Sequence, residues 1–405
     1  MPVKVLIVDD SGFFRHRIEE MLSDDPRLDV VGTATNGREA IDKVKQLHPD
    51  VVTMDVEMPH MNGIEAVRVI MREAPTSVLM LSSLTHEGAR VTLQALEAGA
   101  ADYLPKDIRA WMDKGSNVRT QLIDRLVALG RSRRFRRSTF LDSGRSPGAG
   151  RGEKSRTFSS TGATAKRQTP SNAAPNTPAR RAIEEASQGR QATVSPAAAR
   201  NGAGRAIRSP SQDIMPDCRL VVIAASTGGP AALQKILTTL PASFPHPILL
   251  VQHMPKTFTQ VFAERLNQQC QISVKEAEDG DQLRPGHALL APGGQQMIID
   301  SRHTDRVRIL PGDERLTYRP SADVTYASAA RTYGAKVLGI TLTGMGADGC
   351  DGSRLLKQAG STQWAQSQES CTIYGMPQAV VNAGLADAIL DLDDIGPLLA
   401  GRGTR

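Results

Sequence analysis

Short apolar runs alternate with amphipathic stretches along the first 130 residues. Lys4–Val8, Val30–Ala34, Asp50–Met54, Val78–Leu81 and Ala101–Leu104 predict buried strands. Between them, Phe13–Leu22, Gly37–Gln46, Ile64–Arg72 and Glu87–Ala98 repeat apolar positions at helical spacing, and a last helix is expected within Val118–Leu129. Five strands and five helices in strict alternation imply a parallel sheet covered on both faces.

The pattern then stops. From Leu141 to Gln212 the large apolar residues are Leu141, Phe158, Ile183, Val194 and Ile207, set among Ser, Thr, Ala, Pro, Gly and Arg. Such a stretch cannot bury enough apolar surface to offset its ordering entropy, so residues 138–212 are expected to form a long disordered linker. Alternation resumes beyond it. Leu220–Ala224, Pro247–Val251, Val337–Leu342 and Thr362–Ala365 read as strands. Helices are expected from Pro230, from about Thr257, over Asp323–Tyr333 and around Leu355 and Leu356. Met297–Ile299 and Val307–Leu310 look like a hairpin. The expected organisation is an N-terminal α/β domain over 1–130, the linker, and a second α/β domain over 213–402 with a mostly parallel sheet.

Charge sharpens this division. The 405-residue chain carries a net +6, yet residues 131–212 alone hold 17 basic and four acidic residues. The remainder, with 32 basic and 39 acidic residues, is mildly acidic. A basic arm for nucleic acid is the alternative reading of the linker, but almost no aromatic residue is available there for base stacking, and no helix-turn-helix follows the first domain. The four cysteines (Cys218, Cys270, Cys350 and Cys371) form no C-x-x-C pair, which disfavours a disulfide scaffold and a cysteine zinc site. No signal-peptide layout begins the chain, and no apolar run approaches the ~20 residues that span a bilayer. The expected location is cytoplasmic, with no transmembrane segment.

In open parallel sheets, ligands bind beyond the carboxyl ends of the strands. There the first domain places Asp9 and Asp10 after strand one, Asp55 at the end of strand three, Ser82 after strand four and Lys106 after strand five. Three converging carboxylates attract a hard divalent cation such as Mg²⁺, and a hydroxyl and an ammonium beside them suit phosphoryl oxygens. A lone strand-end aspartate is usually a turn former, but here five positions agree in order and spacing. With Met58-Pro59 and Met61-Asn62-Gly63, they resemble the response-regulator receiver domain over residues 1–125, a flavodoxin-like doubly wound sheet. The resemblance implies Asp55 as phosphoacceptor, Mg²⁺ on Asp9, Asp10, Asp55 and the Glu57 backbone carbonyl, phosphoryl contacts from Ser82 and Lys106, and Tyr103 as the aromatic that rearranges on activation. One departure stands out: the family's proline after the lysine is replaced by Asp107, and Pro105 precedes Lys106.

In the second domain Ser226 sits in Ala-Ala-Ser-Thr-Gly-Gly-Pro, after an apolar strand and before a proline suited to the first turn of a helix. The hydroxyl would face unpartnered backbone N–H groups at a helix start, which suits a nucleophile whose product is an oxyanion. A plain glycine-rich turn or anion cradle is the competing explanation. The lysine of a phosphate-binding P-loop is missing, the G-x-S-x-G elbow is not matched, and H-E-x-x-H is absent. His253, in Gln-His-Met-Pro, and Asp348, in Leu-Thr-Gly-Met-Gly-Ala-Asp-Gly, follow later strands and would share the serine's rim as base and orienting carboxylate. His287 is the second candidate for the base, and Asp348 alternatively caps the next helix.

These segments, with Leu290-Ala-Pro-Gly-Gly294 and Tyr374-Gly-Met-Pro377, resemble the chemotaxis protein-glutamate methylesterase/glutaminase family over about residues 213–400. The resemblance implies two acyl transfers on chemoreceptor cytoplasmic domains, hydrolysis of glutamate methyl esters and deamidation of glutamines. It implies a Ser226–His253–Asp348 triad, an oxyanion donor at the Met345 N–H assisted near Thr227, and no cofactor for the hydrolysis. It further implies gating by the receiver, a chemotaxis histidine kinase as phosphodonor, and receptors as substrate. The same hydrolase acting on receptors of a different signalling pathway is the alternative.

Overall fold

The computed structural model describes residues 1–113, 116–142, 216–313 and 315–401, with residues 133–142 as backbone only. Most of the expected linker, and the nucleic-acid reading that rested on it, lies outside the described residues.

The first domain is a five-stranded parallel sheet in the order β2-β1-β3-β4-β5. Its strands are β1 (Val3–Val8), β2 (Leu28–Ala34), β3 (Val51–Asp55), β4 (Ser77–Ser82) and β5 (Asp102–Pro105). The helices are α1 (Gly12–Ser23), α2 (Gly37–Leu47), α3 (Gly63–Glu73), α4 (His86–Glu97), α5 (Ile108–Met112) and α6 (Val118–Asp142). The central strands are apolar throughout because helices cover both faces. Side chains of Ser11, Asn36, Asn62 and Thr85 cap α1 to α4 by accepting from free N–H groups of the first turn, so each helix starts just beyond a strand's carboxyl end.

Two differences from the expected pattern concern this domain's end. A sixth helix, α5, fills the turn after Lys106, anchored by the fully buried Trp111, whose indole donates to the Pro105 carbonyl at 2.9 Å. Five residues carry too little periodicity to announce a helix. The last helix runs to Asp142 instead of ending near Leu129, into the segment expected to be linker, because arginine and leucine extend a helix without needing a partner surface.

The second domain is a seven-stranded parallel sheet in the order β14-β13-β12-β6-β7-β9-β8. It comprises β6 (Leu220–Ala225), α7 (Gly229–Leu237), β7 (Ile248–Gln252), α8 (Lys256–Gln269), β8 (Ser273–Glu276) and β9 (His287–Leu290). Then follow the antiparallel hairpin β10 (Gln295–Ile299) and β11 (Val307–Pro311), α9 (Ala322–Tyr333), β12 (Val337–Thr341), α10 (Cys350–Gln358) and β13 (Thr362–Gln366). The chain ends with α11 (Met376–Asn382), β14 (Ala388–Leu390) and α12 (Leu392–Leu399). Strands β8, β9 and β14, and helices α11 and α12, were not expected from the pattern. The chain winds outward from β6 to β7, β9 and β8 on one side, then returns to place β12 on the other. The crevice at β6 and β12 is therefore the switch point of the sheet, where open α/β folds bind ligands. No described helix is long and apolar enough to cross a membrane.

The domains pack face to face. Tyr103 of β5 stacks on Phe258 of α8, with ring centroids 4.5 Å apart and planes within 10°. Glu97 accepts from Arg265 Nε at 2.6 Å and from Gln269 at 3.0 Å. Ile373 and Met345 from the second domain join the apolar cluster of β1, β4 and α6. Ser132 of α6 donates to the Thr372 carbonyl at 2.6 Å.

Candidate active site

At the carboxyl end of the first sheet, Asp10, Asp55, Glu57, Ser82 and Lys106 line a cavity of about 680 Å³. Carboxylate oxygens of Asp9, Asp10 and Asp55 lie within 4.8 Å of one another. Lys106 Nζ sits 2.8 Å from Asp9 Oδ2 and 3.0 Å from Asp55 Oδ2, and 4.2 Å above the Phe14 ring. Burial pushes the Asp55 carboxyl up to about 6 against the pull of Lys106, and burial likewise raises Asp9. A donor set of three carboxylates is what a hard cation needs, so the residues fit Mg²⁺. The absence of proline after Lys106 leaves the lysine in place: its N–H pairs with the Ser82 carbonyl, continuing the ladder between β4 and β5. Ser82 donates to the Gly88 carbonyl at 3.1 Å. Tyr103 is turned away from the cavity into the domain interface.

Ser226 immediately follows β6, His253 immediately follows β7, and Asp348 lies in the loop between β12 and α10. The turn after Ser226 requires glycine. Gly228 starts α7 with φ of 77°, and a Cβ there would lie 2.4 Å from Thr372 Oγ1. Gly344 packs so closely that an added Cβ would stand 2.8 Å from the Ser226 Cβ. The loops of the serine and histidine are tied together. The His253 N–H donates to the Ala225 carbonyl at 3.2 Å, and Gln252 Nε2 reaches the carbonyls of both Ser226 (3.0 Å) and His253 (3.3 Å).

His253 Nε2 is paired with Asp348 Oδ2 at 2.7 Å. That leaves Nδ1, which is buried and has no hydrogen-bond partner among the described residues. No hydrogen bond joins the Ser226 hydroxyl to His253. Asp348 is buried and saturated with donors: Ser321 Oγ at 2.8 Å, the Ala322 N–H at 2.7 Å and the Asp323 N–H at 3.1 Å. Burial opposes its charge, but the His253 contact and these donors hold its carboxyl below the usual range. The alternative that Asp348 caps the following helix does not hold, because Gly349 starts α10 without a side-chain cap. Asp348 sits instead at the amino end of α9, where the helix favours a negative charge.

His287, the second candidate for the base, opens β9 at its amino end. There it is exposed and its Nδ1 lies 2.9 Å from the Pro285 carbonyl. The strands are parallel, so this is the opposite edge from Ser226. No hydrogen bond engages the Met345 N–H among the described residues. The Thr227 hydroxyl is occupied: it donates to Asp102 of β5 in the first domain at 2.7 Å, and Arg125 pairs with the same carboxylate at 3.1 Å.

Two families match the chain, the response regulator receiver domain over residues 5–111 and CheB methylesterase over residues 221–399. Protein-glutamate methylesterase/protein-glutamine glutaminase 2 of Pseudomonas savastanoi pv. phaseolicola is 55% identical over 396 residues, covering 98% of each chain. The chain belongs to the CheB family. A second CheB relative, protein-glutamate methylesterase/protein-glutamine glutaminase 1 of Pseudomonas aeruginosa, is 54% identical over 399 residues, again 98% of both chains. The Thermotoga maritima CheB methylesterase catalytic domain is 39% identical, with a TM-score of 0.43 over 45% of this chain and 98% of that one.

This CheB chain thus brings the serine, histidine and aspartate to one rim, and the three receiver carboxylates with Lys106 to another. Pattern reading missed three participants: Asp102, which holds Thr227; Gln252, which ties the two loops; and Ser321, which donates to Asp348. Gln252 was visible as a buried polar residue ending an apolar strand. Asp102 and Ser321 carry no local signal, since their partners are distant in sequence.

Proposed function

We propose that this CheB chain hydrolyses glutamate methyl esters, and deamidates glutamines, on chemoreceptor cytoplasmic domains for adaptation in chemotaxis, under control of its receiver. The observation that carries the reading is the pairing of His253 Nε2 with Asp348, which leaves Nδ1 buried and unpartnered on a residue whose backbone is tied to the Ser226 loop.

In the proposed reaction Ser226 Oγ attacks the side-chain carbonyl and its proton passes to His253 Nδ1. Asp348 holds the imidazole and faces the charge that forms on it. The carbonyl oxygen, now negative, is met by the Met345 N–H, with help from groups near Thr227. The imidazolium returns its proton to methanol or ammonia as the C–O or C–N bond breaks. Water then attacks the acyl-serine, giving up a proton to Nδ1, and glutamate leaves with Ser226 restored. This hydrolysis draws on side chains and backbone alone.

Regulation follows from the contacts of the receiver. Asp55 is the proposed phosphoacceptor, with the chemotaxis histidine kinase as donor. Mg²⁺ held by Asp9, Asp10, Asp55 and the Glu57 carbonyl would neutralise charge on the transferring phosphoryl group. Ser82 and Lys106 would contact its oxygens. Drawing them toward the phosphoryl group would pull on β5, whose Tyr103 stacks on Phe258 and whose Asp102 holds Thr227. A receptor fragment carrying methylated glutamates tests the whole reading: methanol should be released by the wild type and not by Ser226→Ala.

A further inference from the structure

We propose that Tyr318 is a positioning residue for the base, an inference that rests on His253 being that base. Tyr318 lies in the loop between β11 and α9, and its ring stacks flat on the imidazole, with centroids 4.3 Å apart and planes within 12°. The pair with Asp348 fixes only one corner of the imidazole. With Cγ bonded to Cβ and Nε2 held by Asp348, the ring can still tilt about the line joining those two atoms, and that tilt carries Nδ1 out of place. A flat aromatic wall against one face removes it.

The wall is anchored to the same segment that holds the corner. Gln296, buried in β10, donates to the Tyr318 carbonyl at 2.9 Å and accepts from the Ser321 N–H at 2.8 Å. Ser321 in turn donates to Asp348. Residues 318–323 therefore clamp the imidazole by edge and by face as one unit. The far end of the tyrosine abuts the oxyanion loop: a Cβ on Gly346 would meet its hydroxyl at 2.4 Å.

The face has an electrostatic consequence too. An aromatic π-face attracts a cation stacked on it, and the imidazole becomes a cation in the transition state. Of the titratable groups around the imidazole, Asp348 lies at its edge and Tyr318 on its face, Asp323 of α9 stands behind Asp348, and the Arg125 cation of α6 acts on Tyr318 from the receiver. Replacing Tyr318 leaves the hydrogen bonds of Asp348 intact.

The test uses the full-length chain, phosphorylated by a small-molecule donor with Mg²⁺, and methanol release from a methylated receptor fragment. Tyr318→Phe should keep kcat within about twofold. Tyr318→Leu should lower kcat about tenfold with KM within about twofold, and move the acid limb of the pH–rate profile lower by about half a unit. Tyr318→Met, which fills the space without a π-face, reads the same quantities if the leucine variant does not fold. A wild-type kcat and acid limb in the aliphatic variants overturns the proposal, as does a phenylalanine variant as slow as leucine. His253→Ala, run in parallel, separates the two failures: if it retains activity, the base itself is misassigned.

Discussion

The Thr227 hydroxyl, one residue from the proposed nucleophile, donates to the receiver carboxylate of Asp102 at 2.7 Å, and both residues are buried. Asp102→Ala would leave that hydroxyl and Arg125 without their partner in the closed form. Stranding a buried polar group costs about 1–3 kcal/mol, so the closed form should lose population roughly tenfold or more. Basal esterase activity of the unphosphorylated chain should rise accordingly, and the phosphorylated rate should stay put. Unchanged basal activity would show that this bond does not hold the domains together.

The Glu97–Arg265 pair at the rim of the same interface should matter far less. Both side chains retain solvent contact, and such pairs contribute about 0–1 kcal/mol. Arg265→Ala is expected to raise basal activity less than about fivefold, measured beside Asp102→Ala in the same assay.

Triad members act as a unit. Ser226→Ala and His253→Ala should each abolish methanol release and deamidation to a similar extent while leaving receiver phosphorylation intact. His287→Ala should be indistinguishable from wild type, given its place at the amino end of β9. A dead His287 variant beside an active His253 variant would reverse the assignment.

Phosphorylation should act through Asp55. A small-molecule phosphodonor with Mg²⁺ should raise esterase activity in the wild type and not in Asp55→Asn. Deleting residues 1–212 removes Asp102 and Tyr103 along with the phosphoacceptor, and should leave a catalytic domain active without any donor. A deletion no faster than the unphosphorylated full chain would rule out inhibition by the receiver.

Asp323 gives a pH signature. Burial first, and then the charge of Asp348, push its carboxyl up to about 8, against about 3.9 in an unfolded chain. Between these values the folded protein keeps a proton that the unfolded chain releases. This contribution to stability is complete below about pH 4 and is lost as pH rises toward 8. Thermal melting of the wild type should therefore fall, relative to Asp323→Asn, as pH is raised from 5 to 8. Parallel curves for the two proteins would show that Asp323 does not carry this proton.

Both sheets were legible because buried parallel strands announce themselves as apolar runs, and β1, β3, β6, β7 and β12 all do. The elements that escaped are short or lie at edges. Ser273–Glu276 offers a single buried apolar residue, Val274, because this edge strand is largely solvated, and Ala388–Leu390 is too brief to stand out. The site residues were legible for a related reason. Parallel sheets gather their chemistry at strand ends, and Ser226, His253, Asp9 and Asp55 stand there in sequence as they do in space. What sequence could not convey was which nitrogen of His253 meets Asp348, or that Asp102 reaches across to Thr227. Both depend on packing between segments far apart along the chain.

The orientation of the imidazole also limits how this site tolerates change. Nδ1 is the ring nitrogen nearer the backbone, so a base that works through it has a short arm. Its nucleophile must be delivered close to the histidine's own main chain. Neighbouring parallel strands, about 4.8 Å apart, with each residue set directly beyond its strand, supply that closeness, and the Gln252 amide fastens it. One residue inserted between Val251 and His253 should therefore be fatal, and so should one inserted beside Gly344, which packs against the serine itself.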